Sequence, residues 1–345
     1  MYEKYADLND NSRNYFLALL NNKIKDKSTI DRCKREIALL YDKGLLFIIE
    51  LLYKYKMTEK SVNFHFRGMA NNLLLLYVLG ISKVDPIKYH LPYELFTDKT
   101  LSIDLINGCS FDFVSSMNQY TQDFKVVKGS FEPSNVYGIN ELEDKHYLFI
   151  PSYVQPNDMT FRLNEFNQFE TIEDYHTFKD KYIIIRLDDK PLIQENEINL
   201  KYAMNTVFEE ELSIKLKPKT IDDYAKIISL AHGTYVWKKN QEELFRQGKI
   251  DIHNIISNRE DIYEYLINHS IEHDIAIDIV KQLSKSNTNK SNELWQRYLN
   301  IMKEHNCDDM FIDILSKLLY ISGRGQAVSE CLFALDEANY YFLED

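Results

Sequence analysis

The stretch Arg67-Gly68-Met69-Ala70-Asn71-Asn72, running into Leu73-Leu74-Leu75-Leu76-Tyr77-Val78-Leu79-Gly80-Ile81, decides how the rest of the chain is read. It puts a cation and a glycine at the mouth of a buried helix expected from about Ala70 to Leu79, with Gly80 as C-cap. Val84-Asp85-Pro86-Ile87 then turns the chain, and Leu101-Ser102-Ile103-Asp104-Leu105 reads as a strand. Alternation puts Ser102 and Asp104 on one face and Ile103 and Leu105 on the other. Arg67 offers a planar fork for phosphate oxygens. Gly68 lets the backbone approach a ligand, and amides near a helix start attract anions. Asp104 is a hard oxygen ligand of the kind that holds Mg²⁺ against a nucleotide.

Upstream, Ile30, Cys33, Ile37, Leu40 and Tyr41 recur at helical spacing, Gly44 interrupts, and Leu45 to Tyr53 continues apolar. Residues 1–28 read as a short helical N-terminal segment around Tyr15 to Leu20. Downstream, β-prone runs at Lys125-Val126-Val127 and Tyr147-Leu148-Phe149-Ile150 lie among scattered Gly, Ser and Asn. Tyr182 to Leu187 is the clearest strand, and it ends in Asp188-Asp189. Leu216-Lys217-Pro218-Lys219 reads as a domain boundary, with Thr220 as N-cap of the next helix and acids in its first turn. From there the pattern is helical over 223–230, 240–247, 259–268, 274–283, 294–305, 311–319 and 327–343, with a solvated loop at 284–291.

At 345 residues the chain can bury a large core and holds two structural units. With only 10 Gly and 7 Pro it has few breakers, which favours long helices; 24 Tyr and 19 Phe make the core aromatic. A net charge of −12 argues against autonomous duplex binding, because phosphate contacts need clustered Lys and Arg. Cys33, Cys109, Cys307 and Cys331 are far apart, which excludes a Cys-x-x-Cys zinc site and fits free thiols in a reducing compartment. The start is not a signal peptide and no apolar run reaches a membrane span, so a cytoplasmic location without membrane contact is expected.

The order of residues from Arg32 through Arg67-Gly68 to Asp104 resembles the palm of the bacterial C-family replicative polymerases, the PolC type of DNA polymerase III alpha subunit. Ile228-Ser229-Leu230-Ala231-His232-Gly233-Thr234-Tyr235-Val236-Trp237, and the helices from Ile255 to Tyr341, resemble the fingers of the same family. The resemblance covers roughly residues 29–341. It implies an α/β (α+β) fold: a mixed-sheet nucleotidyltransferase-like palm over 29–215 with a reduced or absent thumb, then an all-helical fingers-like domain over 216–345.

In that family nucleotide addition rests on two divalent cations about 3.5–4 Å apart, held by converging carboxylates. The resembled Asp-x-Asp reads Ser102-Ile103-Asp104 here, so the first aspartate is lost. The resemblance puts the third on Asp188, with Asp189 as the other register and Asp112 as a substitute ligand if the alignment shifts. Mg²⁺ is then the implied cofactor of an active form. Arg67, Gly68, His232 and Arg324 fall at nucleotide-binding positions. Met69, Asn71 and Asn72 crowd the cradle, Gly323-Arg324-Gly325-Gln326 lacks the family's histidine, and Glu330 replaces a tyrosine. These departures lead to a catalytically degenerate relative acting as a binding module, its partner a replication protein, with primed DNA and dNTP left open. The alternatives are a minimal active nucleotidyltransferase and a nucleotide sensor. Plainer readings pair Arg67 with Glu94 or Asp85, make His232 a helix-end histidine, leave Asp188-Asp189 as a solvated strand end, and turn Arg324 outward toward Glu344-Asp345.

Overall fold

Asn9, deep in the first helix, shows why the N-terminal segment is not an appendage. Its side chain donates to the Tyr41 carbonyl at 2.8 Å and accepts from the Leu46 amide at 3.1 Å. It thereby joins the end of α2 (Lys27–Asp42) to the start of α3 (Leu46–Thr58), around Gly44 in the left-handed region at φ +70. The helix that carries it, α1 (Tyr2–Lys23), packs against both. The computed structural model describes residues 2–60, 62–97, 101–106, 113, 124–129, 146–151, 185–190, 206–284, 290 and 292–342. The chain forms two units, Met1–Pro86 with Phe96–Leu192, and Ile87–Leu95 with Ile193–Asp345. The division falls near 192 and not at 215, and 1–28 lies inside the first unit.

In the first unit α2 starts where the sequence says it should. Asp26 accepts from the Thr29 amide at 2.8 Å, and Ser28 and Thr29 together hold its carboxyl down at about 2. Its apolar stripe, Cys33, Ile37 and Leu40, is fully buried. The expected single helix over 70–79 is instead a 3₁₀ turn (Gly68–Asn72) and a short α4 (Leu74–Val78), parted by Leu73 in extended conformation. The cause lies in another helix. The buried Glu36 carboxylate accepts from the Leu74 and Leu75 amides at 3.0 and 2.7 Å, while Arg32 donates to Glu36 and to the Asn72 carbonyl. Gly80, at φ +73, follows the end of α4 as expected.

The sheet is mixed and five-stranded, in the order β1-β2-β5-β4-β3. Its strands are β1 (His65–Phe66), β2 (Leu101–Ile106), β3 (Phe124–Gly129), β4 (His146–Pro151) and β5 (Ile185–Lys190). β2 runs parallel to β5 and antiparallel to β1, and β3 and β4 extend the sheet antiparallel. Asp188 and Asp189 are within β5 rather than beyond it, because the strand continues to Lys190. The start of the expected strand, residues 182–184, lies outside the described residues. Leu101, Ile103 and Leu105 are buried, and so is Asp104 on the other face.

The second unit is helical. It begins with a helix that the sequence reading passed over, α5 (Val207–Leu216), opened by a capping box between Thr206 and Glu209. Lys217 at φ +53 ends it, and α6 (Ile221–His232) follows, with Thr220 and Asp223 forming a second capping box. Because α5 packs on α6, Lys217-Pro218-Lys219 is an interhelical turn and not a domain boundary. The helix expected over 240–247 is present as the end of a π-helical turn (Trp237–Gln241) and α7 (Glu242–Arg246), and the kink falls before it, at Lys238 and Lys239. The buried Gln241 side chain ties this helix to the segment around Ile256. It donates to the Val236 and Ile256 carbonyls and accepts from the Ile256 amide.

The remaining helices follow the periodicity closely: α8 (Arg259–Asn268), α9 (His273–Leu283), α10 (Glu293–Glu304), α11 (Asp309–Lys317) and α12 (Arg324–Phe342). Lys290 departs from the solvated-loop expectation: it is partly buried, and its ammonium caps the Leu315 and Leu318 carbonyls at the end of α11. Among the described residues no helix is long and apolar enough to cross a membrane.

Candidate functional site

In the first unit the backbone builds a junction around Arg67. The Arg67 amide donates to the Ser102 carbonyl at 2.8 Å, and Gly68, at φ +65, turns the chain into the 3₁₀ segment. A side chain there would be strained, so the glycine is required by the turn itself. Arg67 then returns to the sheet, where its Nε donates to Asp104 Oδ1 at 2.7 Å. The Asp104 side chain is only 5% exposed and that of Arg67 is 32% exposed. In the parallel pair Asp104 stands opposite Asp188, and Ser102 opposite Arg186. The register therefore aligns Asp188, and not Asp189, with Asp104. Asp112 lies outside the described residues.

The described side chains of this junction form an ion pair and not a set of free carboxylates. Two Mg²⁺ ions need several free carboxylate oxygens at one spot. Here Asp104 is already held by a guanidinium, and the position two residues before it is the neutral Ser102. Among the described residues no group of three or more His, Cys, Asp or Glu could hold a metal ion. Neither does α4 offer its amides to an anion, because Glu36 occupies those of Leu74 and Leu75. Burial pushes the Glu36 carboxyl up, against its hydrogen bonds to Leu75 and Arg32. Cys33, Cys307 and Cys331 are free and buried, and burial pushes Cys33 up to about 12.

In the second unit Arg324 is no surface cation. Its side chain is 7% exposed, and it donates to Asp261 Oδ1 at 2.5 Å, to Glu264 at 3.3 and 3.4 Å, and to the Tyr89 carbonyl at 3.0 Å. Its amide donates to Glu260 at 2.7 Å. Burial opposes the charge, but Asp261, Glu264 and Glu260 outweigh it and raise the guanidinium further. The Glu344-Asp345 terminus lies outside the described residues. His232 sits at the end of α6, its Nε2 3.6 Å from Glu209. It does not border the cavity that Arg324 borders, so the two are not brought to one site.

That cavity, of about 690 Å³, lies within the second unit. The starts of three helices reach it: Thr220, Ile221 and Asp222 of α6, Asp261 of α8, and Arg324 of α12. Capping side chains take up amides at each: Thr220 and Asp223 at α6, Asn258 and Asp261 at α8, and Glu260 at α12. Lys88, Lys226, His90 and His253 also line it, together with the acids Asp222, Asp261 and Glu264. Lys226 was not singled out in the sequence, where it stands as one charge in the apolar run Ala225-Lys226-Ile227-Ile228. It is 8% exposed, and its ammonium donates to the Ile252 and His253 carbonyls at 3.1 and 3.0 Å. Among the described residues no carboxylate forms an ion pair with it.

The string from His232 to Trp237 has a packing role. Gly233 lies against Val236 and the Tyr320 carbonyl, where a Cβ would overlap Val236 Cγ2. Thr234 pairs with Tyr320 as an isolated bridge, and Trp237 is fully buried.

Residues 188–306 match the profile of the bacterial DNA polymerase III alpha subunit finger domain. The DNA polymerase III PolC-type of Lactococcus lactis is 32% identical over 138 residues, 40% of this chain and 8% of its own length. That of Caldanaerobacter subterraneus is 30% identical over 129 residues, 37% of this chain and 9% of its own length. That of Staphylococcus aureus is 28% identical over 168 residues, 44% of this chain and 11% of its own length. The aligned stretch thus spans about a tenth of the length of these curated relatives. Over its second unit the chain carries a region similar to the finger domain of PolC-type DNA polymerase III alpha subunits.

Proposed function

We propose that this protein is a replication-associated binding module, built as a palm-like unit and a fingers-like unit, with little or no catalysis of its own. The carrying observation is the ion pair between Arg67 and Asp104, beside Ser102 at the other Asp-x-Asp position. In this reading the carboxylate that would hold the metal is neutralised by the arginine that would hold the nucleotide. The relatives named as PolC-type polymerases supply the replication context, and the partner is a protein of that machinery, engaged directly or by mimicry. Primer extension on a primed template, with Mg²⁺ and with Mn²⁺, beside Asp104→Ala, tests it. No incorporation by either protein is expected. Incorporation lost in the variant would establish a minimal nucleotidyltransferase instead.

The cavity of the second unit favours a second reading, in which the protein senses a nucleotide through its phosphates. Lys226 supports it: its buried side chain is held by two carbonyls and borders the cavity. A thermal shift with triphosphate that Lys226→Ala removes would carry this reading. No shift with any triphosphate would end it.

A further inference from the structure

Glu264 and Asp261 hold the same guanidinium very differently. Asp261 is anchored on both sides: Oδ1 takes Arg324 at 2.5 Å, and Oδ2 accepts from the Ser257 amide and hydroxyl and the Asn258 amide. Glu264 reaches Arg324 only at 3.3 and 3.4 Å, and no other donor to it is found among the described residues. Its side chain is 40% exposed against 13% for Asp261. It borders the same cavity as Lys226, Lys88 and the start of α6. A loosely held, half-exposed carboxylate therefore sits on a buried arginine, in the cavity that a buried lysine without an acid partner among the described residues also lines.

We propose that Glu264 is an internal competitor for an oligophosphate ligand of this cavity, its carboxylate occupying the place on Arg324 that a phosphate oxygen would take. The inference rests on the nucleotide-sensing reading and adds the element that sets its affinity. Binding exchanges one anion for another at Arg324: the glutamate swings to solvent and the phosphate bridges Arg324 and Lys226. No metal is needed, since the arginine and the lysine supply the positive charge. The groups facing Glu264 are Arg324 of α12, Asp261 of its own helix and His90 of the 87–95 segment. Burial already raises the Glu264 carboxyl, so acidification neutralises the competitor and frees the arginine.

Calorimetric titration of the full chain with inorganic tripolyphosphate, in EDTA, tests the proposal on wild type, Glu264→Gln, Glu264→Ala and Glu264→Gln/Lys226→Ala. The two single variants are expected to bind roughly tenfold more tightly than wild type, a gain that the double variant loses. Wild-type affinity should also rise as pH falls from about 7.5 to about 5.5, and the Gln variant should be flatter. Equal or weaker binding by both single variants overturns the competitor while leaving an anion cavity in place. No binding by any of the proteins overturns the cavity reading and the competitor together.

Discussion

Arg67 and Asp104 meet across the β1–β2 edge at 2.7 Å, so two residues that the family resemblance assigns to different partners, phosphate and metal, neutralise each other. If this pair is structural, Asp104→Asn should destabilise the chain by about 1–3 kcal/mol, since it strips the arginine of a nearly buried acid. A metal site without its metal behaves oppositely, because removing one of several crowded carboxylates relieves repulsion. Urea unfolding of the two proteins without divalent cation separates the cases, and a more stable Asn variant would sink the ion-pair account.

Glu36 is fully buried and satisfies two amides that a continuous helix would have used internally. Glu36→Ala should therefore cost about 3–5 kcal/mol, from two orphaned amides and the loss of the buried acid that Arg32 holds. Denaturant unfolding measures the loss, and a cost under about 1 kcal/mol would mean that water replaces the carboxylate at the start of α4.

Gly233 has no room for a side chain against the buried Val236 and the Tyr320 carbonyl. Gly233→Ala should lower stability by about 1–3 kcal/mol through overpacking. The companion Val236→Ala in the same chain should recover part of that loss; a double variant no more stable than Gly233→Ala would place the strain elsewhere.

Lys290 is pushed down to about 8 from 10.5 by burial among carbonyls. Between those two values the unfolded chain holds the proton and the folded chain releases it, so this group makes stability rise with pH over that window. Lys290→Met should flatten the rise in unfolding midpoint. A slope unchanged by the substitution would assign it to another group.

The helical frame is legible in the sequence because its signals are local. Asp26 before Thr29, Thr220 before Asp223 and Asn258 before Asp261 are caps whose partners lie three residues away, and each begins its helix where the periodicity begins. Where the periodicity misleads, the competing group is distant or the helix weakly patterned. Glu36 divides the 70–79 helix from 38 residues upstream. α5 carries exposed Val207 and Ile214, so no clean apolar stripe announces it.

The amino-acid sequence by itself determined the starts of the capped helices α2, α6 and α8, the strand at 101–106, and the residue types Arg67, Asp104 and Arg324 at their positions. Only the tertiary structure decided what those residues do, because an ion pair forms between groups that packing brings within reach and not between neighbours in the chain. Arg67 finds Asp104 across 37 residues and Arg324 finds Asp261 across 63. The fold sets nearly buried Asp104 against Arg67 and buried Arg324 against Asp261, and removing either partner would leave an unmatched charge that costs several kcal/mol.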